Sequence, residues 1–246
     1  GALGWLLLLG AEQIAAWLAG YGLRMLDIHA SHGKEKTWGA FREYARLAGV
    51  ELVKNRIQMA ANLESDVIIM HLPDPPEAEN PDQSAWLTPL RKSLDELAPY
   101  AEGRGVKIAL ENMGNDNFKA IDLLFSEYGP DFLGLCYDSG HGNIDQGRGL
   151  DYLDQYKDRL ISIHLHDNDG CGDHHNLLFS GTVDWAQLSR ILAESSYQKP
   201  ISMELSMKHS GIDDERLFLE KAFETGETFS RMVAECRGQG HRSPEI

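Results

Sequence analysis

Residues 133–141, LGLCYDSGH, place a short apolar run directly before an aspartate and, three residues later, a histidine. A run of this length between turn-forming residues is typical of a strand that is buried on both faces of a sheet. The carboxylate of Asp138 then stands at the end of the strand, and His141 lies in the turn that follows. The stretch predicts a parallel α/β fold with polar groups at the carboxyl edge of its sheet.

Five further apolar runs repeat this pattern along the chain, and segments with helical periodicity separate them. Because strands and helices alternate, we expect a parallel sheet with right-handed crossovers. The predicted strands are 23–29, 66–71, 106–111, 133–138, 160–166 and 201–205, and the predicted helices are 41–63, 86–101, 118–128, 150–156, 185–197 and 215–236.

Two architectures fit this alternation, a closed (β/α)8 barrel and an open doubly wound sheet. No GxGxxG or Walker loop follows a strand, which disfavours a nucleotide-binding open sheet. No linker or low-complexity stretch marks a second domain in the 246 residues. We therefore predict an α/β fold with a single TIM-barrel domain over residues 1–246, incomplete at its N-terminus because only six strands are visible. Residues 1–9 are a candidate for a seventh strand.

The composition indicates which partners the protein can bind and in which compartment we expect it. The chain is 42% hydrophobic and carries a net charge of −15, which supports a large core and disfavours binding to nucleic acid or anionic lipid. Three cysteines without a CxxC pair argue against a thiolate zinc cluster and fit a reducing cytoplasm. The apolar run 5–9 is too short to cross a bilayer. We therefore predict a cytoplasmic protein that does not act at a membrane.

Every predicted strand has, at its end or within two residues of it, a residue that can bind a metal ion. Acidic residues and histidines make up about a fifth of the chain, so six such ends in six strands would be a rare coincidence. Any one of them alone would more often be a cap or a satisfied hydrogen-bonding group. Parallel strands bring their carboxyl ends to one rim, where converging carboxylates need a cation or protons. The six residues are His29, His71, Glu111, Asp138, His164 and Glu204.

A glycine-rich loop, DGCGDHH at 169–175, adds an Asp-x-His pair formed by Asp173 and His175. Its glycines allow the loop to fold back over the rim. Asp, Glu and His side chains together suit Zn, Mn, Co or Fe(II) better than Mg or Ca, which prefer oxygen ligands alone. His166 shares the parity of His164, so both rings are candidates for the same side of the strand. We expect one to three divalent metal ions.

Seven short motifs, taken as an ordered set, resemble the xylose-isomerase-like TIM barrels. This superfamily holds sugar and sugar-phosphate isomerases and epimerases, and also the family 2 apurinic endonucleases. Each motif is weak alone, but together they follow the family's order over nearly all of residues 22–205. They are IHAS (28–31), MHLP (70–73), LENM (110–113), YDSGH (137–141), IHLHDND (163–169), DHHNLLFSGTVDW (173–185) and ISMEL (201–205).

The resemblance implies which residues bind metal ions. It favours His164 over His166, because His164 stands in the family's His-x-x-Asp position, with Asp167 as the acid. The implied ligands of a principal ion are Glu111, Asp138, His164 and Glu204. The positions that match further metal ligands of the endonucleases are His29, His71, His141, Asp173 and His175.

For catalysis, the resemblance implies an epimerase-like pair of glutamates. Glu111 and Glu204 would act as general base and general acid on opposite faces of one carbon, and His141 would contact a substrate oxygen. We therefore predict a metal-dependent isomerase or epimerase of carbohydrate metabolism that acts on a small-molecule sugar or sugar phosphate. The reaction would pass through a metal-stabilised enediolate, with hydride transfer as the rival mechanism.

Two alternatives remain open at this point. An apurinic endonuclease-like phosphodiesterase would use all nine matching positions, but the negative charge disfavours it, and Lys34 and Lys36 are the nearest basic residues to the rim. A metal-binding barrel without turnover is the other alternative. The sequence leaves open the exact substrate, the metal, and whether the chain forms a homo-oligomer. Trp38, in a polar loop after His29, is a candidate for lining a sugar site.

Overall fold

The computed structural model describes residues 2–30, 37–73, 83–113, 118–144 and 148–239. Lys34 and Lys36, the basic residues considered above, lie outside these ranges. Among the helices of the described residues, none combines the length and the apolar character that crossing a bilayer requires. The chain divides into two compact units, residues 1–111 with 119–134 and residues 112–118 with 135–246.

The first unit contains three parallel strands that follow one another in chain order. They are β1 (Ile28–His29), β2 (Val67–Met70) and β3 (Lys107–Glu111). Ile28 pairs with Ile68, and Ile69 pairs with Ala109, so the carboxyl ends of the three strands lie side by side. The helices of this unit are α1 (Ala2–Gly20), α2 (Glu43–Asn62), α3 (Gln83–Glu102) and, apart from Phe118, α4 (Phe118–Glu127).

The interior of the first unit is formed by apolar residues at strand and helix spacing. All four residues of β2 are buried, as a strand covered on both faces requires. The helices α2 and α3 pack together, and each buries a residue every three or four positions. Full burial of one such side chain stabilises the fold by roughly 1.5–3 kcal/mol. The buried set includes Val50, Val53, Ile57 and Ala60 of α2 and Leu87, Leu90, Leu94 and Leu97 of α3.

The second unit contains the last four residues of β4 (Leu133–Asp138) and all of β5 (Leu160–His164), which pair in parallel so that Asp138 lies beside His164. Its helices are α5 (Ser139–Ile144), α6 (Gly149–Tyr156), α7 (Trp185–Glu194) and α8 (Glu215–Gln239). The buried rings of Trp185 and Phe229 meet edge to face, with 5.2 Å between centroids, and join α7 to α8.

Most predicted elements are present, but one predicted strand is shorter than expected and another forms only a single bridge. All six predicted helices are found within three residues of their predicted ends. The strand expected at 23–29 is reduced to Ile28–His29, because Leu23 is exposed and the run is not covered on both faces. The segment 201–205 makes a single parallel bridge, from Met203 to Leu165. It cannot continue as a ladder, because the neighbouring chain turns away to pair Asp167 with Asn176.

Two helices of the structure differ from the sequence prediction. Residues 2–9 of the candidate seventh strand at 1–9 belong to α1, which fits the leucine-rich sequence of this stretch and its lack of β-branched residues. The sequence does not predict the short helix α5, because Gly140 and Gly142 have a low helix propensity. It begins directly after Asp138, whose Oδ1 accepts the backbone N–H of His141 at 2.7 Å. Asp138 therefore caps α5.

Candidate metal centre

Three predicted ligands in the first unit lie in direct contact, and we call His29, His71 and Glu111 the first cluster. The two histidine Nε2 atoms are 3.0 Å apart, and they lie 3.4 and 2.9 Å from Oε2 of Glu111. His29 Nδ1 donates to the backbone carbonyl of Ala30 at 2.9 Å. The neutral ring of His29 therefore presents an unprotonated Nε2 to the cluster, as a metal-binding histidine does.

A buried chain of hydrogen bonds supports the backbone of His71. The indole Nε1–H of Trp38 donates to the His71 carbonyl at 3.2 Å, and Ser93 Oγ donates to the Trp38 carbonyl at 2.5 Å. Arg46 is 2% exposed and donates to Ser93 Oγ at 3.0 Å and to Glu96 at 2.6 Å. Trp38 is 5% exposed, so its ring packs inside the unit rather than lining an open sugar site.

In the second unit, ligand atoms of Asp138, His164 and Glu204 lie within 4.8 Å of one another, and we call these residues the second cluster. His164 Nδ1 is 3.0 Å from Oε2 of Glu204. Asp138 and His164 are buried, whereas 49% of the Glu204 side chain is exposed. This spacing fits a divalent ion, because the ligand atoms of a tetrahedral zinc ion are about 3.3 Å apart. Glu111, the fourth predicted ligand, lies in the first cluster.

Asn112 fixes the backbone at the end of β4. Its amide N–H donates to the carbonyl of Asp138 at 2.9 Å, and its Oδ1 accepts the N–H of Asp138 at 2.7 Å. Both residues are fully buried. The two bonds place the Asp138 side chain on a backbone that cannot shift without leaving polar groups unpaired.

Asp173, in the glycine-rich loop, faces three imidazoles, and we call Asp173, His141, His166 and His175 the third cluster. Asp173 Oδ2 is 3.1 Å from Nε2 of His175 and 3.4 Å from Nε2 of His141. Asp173 Oδ1 is 3.6 Å from Nε2 of His166. The ligand atoms of His166, Asp173 and His175 lie within 4.8 Å of one another.

Backbone carbonyls fix the ring orientation of two histidines of the third cluster. His141 Nδ1 donates to the carbonyl of Asn112 at 3.0 Å, and His175 Nδ1 donates to the carbonyl of Glu204 at 2.9 Å. Burial lowers the pKa of His175, but the hydrogen bond to the Glu204 carbonyl and the negative charges of Asp173, Glu204 and Asp138 together raise it by more, so the pKa lies above that of an ordinary histidine. Each neutral ring turns an unprotonated Nε2 toward a carboxylate, and a proton or a cation stabilises that arrangement.

Asp167 anchors the segment that follows the third cluster. Its Oδ1 accepts the backbone N–H groups of Asn168 at 2.9 Å and Val183 at 3.1 Å. Its Oδ2 accepts the indole N–H of Trp185 at 2.9 Å, and the carboxylate is fully buried. The aspartate of the His-x-x-Asp motif therefore holds the loop onto the start of α7.

The structure uses two residues that the sequence patterns do not select. Asn112 has no assigned role in the sequence, and His166 ranks behind His164. Asn112 is recognisable only as a polar residue directly after a strand-end glutamate, and His166 only by the parity that it shares with His164. The contact of His166 with Asp138 becomes visible once β4 and β5 are aligned.

Comparison with known proteins establishes the family. The profile of the xylose isomerase-like TIM barrels matches residues 7–222, which include all members of the three clusters. The chain belongs to this family. Membership in the xylose isomerase-like TIM barrels confirms the predicted fold class, and five strands of such a fold, β1 to β5, lie in the described residues.

Proteins that are similar to this chain include an uncharacterized protein, a sugar epimerase and a protein solved with a bound zinc atom. The uncharacterized protein y4fM of Sinorhizobium fredii is 31% identical over 240 residues, 88% of this chain and 77% of that protein. A fructoselysine 3-epimerase of Shigella flexneri is 23% identical over 199 residues, 74% of this chain and 67% of the epimerase. The crystal structure of an IolI protein with a bound zinc atom aligns with a TM-score of 0.66 at 17% identity, over 93% of this chain and 82% of that one.

Proposed function

We propose that this protein is a divalent-metal-dependent isomerase or epimerase of sugars or sugar phosphates. The observation that carries the proposal is the second cluster, in which two carboxylates and an imidazole from separate chain segments meet within 4.8 Å. The fructoselysine 3-epimerase among the relatives supports the reaction class. The zinc atom of the IolI structure supports a metal ion.

The proposed metal ligands are Asp138, His164 and Glu204, with Glu111 as the fourth. Glu111 ends β3 as Asp138 ends β4 and His164 ends β5. In a TIM barrel the carboxyl ends of the strands form one rim, and active sites are built there. Mixed carboxylate and imidazole ligands suit Zn, Mn, Co or Fe(II). When bound, such an ion would polarise adjacent oxygens of a sugar and stabilise negative charge that develops on them.

The glutamates supply the acid–base chemistry in this proposal. Glu204 has a half-exposed side chain, so its carboxylate is accessible to a substrate carbon and can remove a proton next to a carbonyl. Glu111 is buried and would return a proton from the other face. Because His141 Nδ1 is committed to the carbonyl of Asn112, His141 would contact a substrate oxygen through Nε2.

Solvent exchange of a substrate hydrogen tests the role of Glu204. Purified protein loaded with zinc or manganese is incubated in D2O with fructoselysine and a panel of ketoses, and deuterium uptake is followed by NMR. We expect exchange next to the carbonyl in the wild type, a loss of at least about 100-fold in Glu204→Gln, and no change in Glu235→Gln, an exposed site on α8. Exchange at the wild-type rate in Glu204→Gln would remove that residue from the role of base. Isomerisation without exchange would favour hydride transfer.

The first and third clusters favour a second candidate, a multinuclear metal phosphodiesterase. His29, His71, Asp173 and His175 offer nitrogen and oxygen ligands beyond those that one ion needs. The net charge of −15 opposes binding to a DNA backbone. Nicking of a duplex with a single abasic site, in the presence and absence of chelator, distinguishes the candidates. Chelator-sensitive nicking would favour the phosphodiesterase over the epimerase.

A further inference from the structure

His166 belongs to the third cluster and also contacts Asp138 of the second cluster. Its Nε2 is 3.0 Å from Oδ1 and 3.1 Å from Oδ2 of Asp138, and 3.6 Å from Oδ1 of Asp173. The ring is fully buried and stacks on the ring of His175, with 4.1 Å between centroids. Position alone would allow His166 either to bind a metal ion or to hold Asp138 in place.

The other ring nitrogen of His166 distinguishes these roles. Nδ1 is buried and has no hydrogen-bond partner among the described residues. The Cε1 edge of the ring lies against Gly140, where an added Cβ would come within 1.9 Å of Cε1, 2.4 Å of Nδ1 and 2.6 Å of Nε2. The backbone of α5 therefore covers this edge, and any side chain at position 140 would displace the ring.

The histidines that present an unprotonated Nε2 to a cluster differ from His166 in the hydrogen bond that their Nδ1 makes. His29, His141 and His175 each donate Nδ1–H to a backbone carbonyl. That second bond fixes the tautomer, and histidines that bind metal ions almost always make it. His166 Nδ1 makes no such bond within the part of the chain that the structure describes. If its Nε2 bound a metal ion, the ring proton would sit on Nδ1 as a buried donor without an acceptor, which is rarer than an acceptor without a donor.

We infer that His166 carries its proton on Nε2, donates it to the carboxylate of Asp138, and is a positioning residue rather than a metal ligand. This inference rests on the proposed function in one respect, because it treats Asp138 as a metal ligand. Asp138 then receives two donors, the backbone N–H of His141 at 2.7 Å and the imidazole N–H of His166. Together they fix the plane of the carboxylate and the direction of its remaining lone pairs.

Two substitutions at position 166 separate positioning from ligation. His166→Gln keeps an N–H donor near the place of Nε2, and His166→Phe keeps a ring and removes the donor. The exposed His209→Gln is the control. Zinc content is measured at saturation, and zinc affinity by competition with a chromophoric chelator.

We expect all four proteins, wild type included, to bind the same number of zinc ions at saturation. His166→Phe should bind the ion of the second cluster about 10–100-fold more weakly, and His166→Gln should stay within a few-fold of the wild type. Loss of one zinc equivalent in both variants would show that His166 is a ligand, and unchanged affinity in His166→Phe would show that it does not position Asp138. Either result would overturn the inference.

A second measurement needs neither a variant nor a metal ion. Long-range ¹H–¹⁵N NMR of metal-free, histidine-labelled wild type reports the tautomer of each ring. We expect the Nε2–H tautomer for His166, and an Nδ1–H tautomer there would overturn the inference even if His166→Phe fails to fold. Absence of zinc binding by the wild type would instead refute the proposed function and leave the NMR result to decide on His166.

Discussion

Asn112 and Asp138 are joined by two hydrogen bonds in which the side chain of one residue pairs with both backbone groups of the other, at 2.9 and 2.7 Å. Asn112→Ala leaves the buried N–H and C=O of Asp138 without these partners, so we expect a loss of about 2–4 kcal/mol in the free energy of unfolding. Urea denaturation measures the loss. Asn62→Ala, on the surface of α2, is the control. A loss no larger than that of the control would show that the pairing does not hold β4.

Asp167 should be essential for its charge as well as its shape. Asp167→Asn keeps the volume but presents an NH2 group to donors, namely the backbone N–H of Val183 or the indole N–H of Trp185. We expect a destabilisation of about 2–3 kcal/mol by urea denaturation. Asp169→Asn is the matched control, since the Asp169 carboxylate is 62% exposed. Equal stability of the two variants would contradict the anchoring role.

Gly49 should tolerate no side chain, because α2 approaches the backbone that carries Trp38. A Cβ at position 49 would lie 2.4 Å from the carbonyl carbon of Thr37 and 2.4 Å from the backbone nitrogen of Trp38. We expect Gly49→Ala to destabilise the protein by about 1–3 kcal/mol in thermal or urea unfolding. Gly10→Ala, in α1 with no atom within 4 Å of its Cβ, should be neutral or stabilising by up to about 1 kcal/mol. A stable Gly49→Ala protein would contradict this packing.

The ion pair between Arg91 and Glu127 predicts a pH dependence of stability. Two hydrogen bonds from Arg91, at 2.7 and 2.6 Å, hold the pKa of Glu127 below its ordinary value. Because the pKa of the folded state is lowered, the stabilisation is present above the pKa of the unfolded chain and is lost as the pH falls through the folded value. Glu127→Gln should therefore cost roughly 0.5–1 kcal/mol at pH 7, since about a third of each side chain is exposed.

Urea denaturation over a pH series measures this difference for Glu127→Gln, with Glu235→Gln as the control. The gap between wild type and Glu127→Gln should narrow as the solution becomes more acidic than the ordinary pKa of glutamate. A gap that widens toward acid pH would contradict the sign of the shift.

Metal removal should change stability if the second cluster binds an ion. Free zinc at about 100 times its dissociation constant would stabilise the folded protein by about 2.7 kcal/mol, because the unfolded chain offers no such site. Differential scanning fluorimetry with added zinc or chelator measures the shift in Tm. In Glu204→Gln the shift should shrink, because one of the cluster's carboxylates is lost. An equal zinc shift in wild type and Glu204→Gln would place the ion elsewhere.

The order of strands and helices was predictable because the spacing of hydrophobic residues along a segment depends on that segment alone. The runs at 66–71 and 106–111 became β2 and β3. The segment 201–205 has the same local pattern but forms a single bridge, since its partner leaves after Leu165. Whether a run becomes a strand thus depends on a neighbour that the run itself does not specify.

The sequence predicted which residues form the candidate site better than it predicted the contacts that those residues make. Strand ends and the Asp-x-His loop indicated the residues that form the clusters, because parallel strands bring their carboxyl ends to one edge. The hydrogen bonds and packing contacts that hold these residues in place were not predictable. The hydrogen bond from His175 to the carbonyl of Glu204, and the packing of His166 on Gly140, depend on backbone positions that no side-chain pattern records.

Oδ1 of Asp138 caps the helix α5, and the same carboxylate belongs to the second cluster. A histidine or a glutamate at this position could offer a metal ligand, but its length differs from that of the aspartate that the N–H of His141 requires. In the proposed metal site, folding and metal binding would therefore restrict position 138 jointly, which leaves little room there for changing the metal preference by protein engineering. Glu204, at the exposed side of the same cluster, is the better place to introduce a softer or a longer ligand.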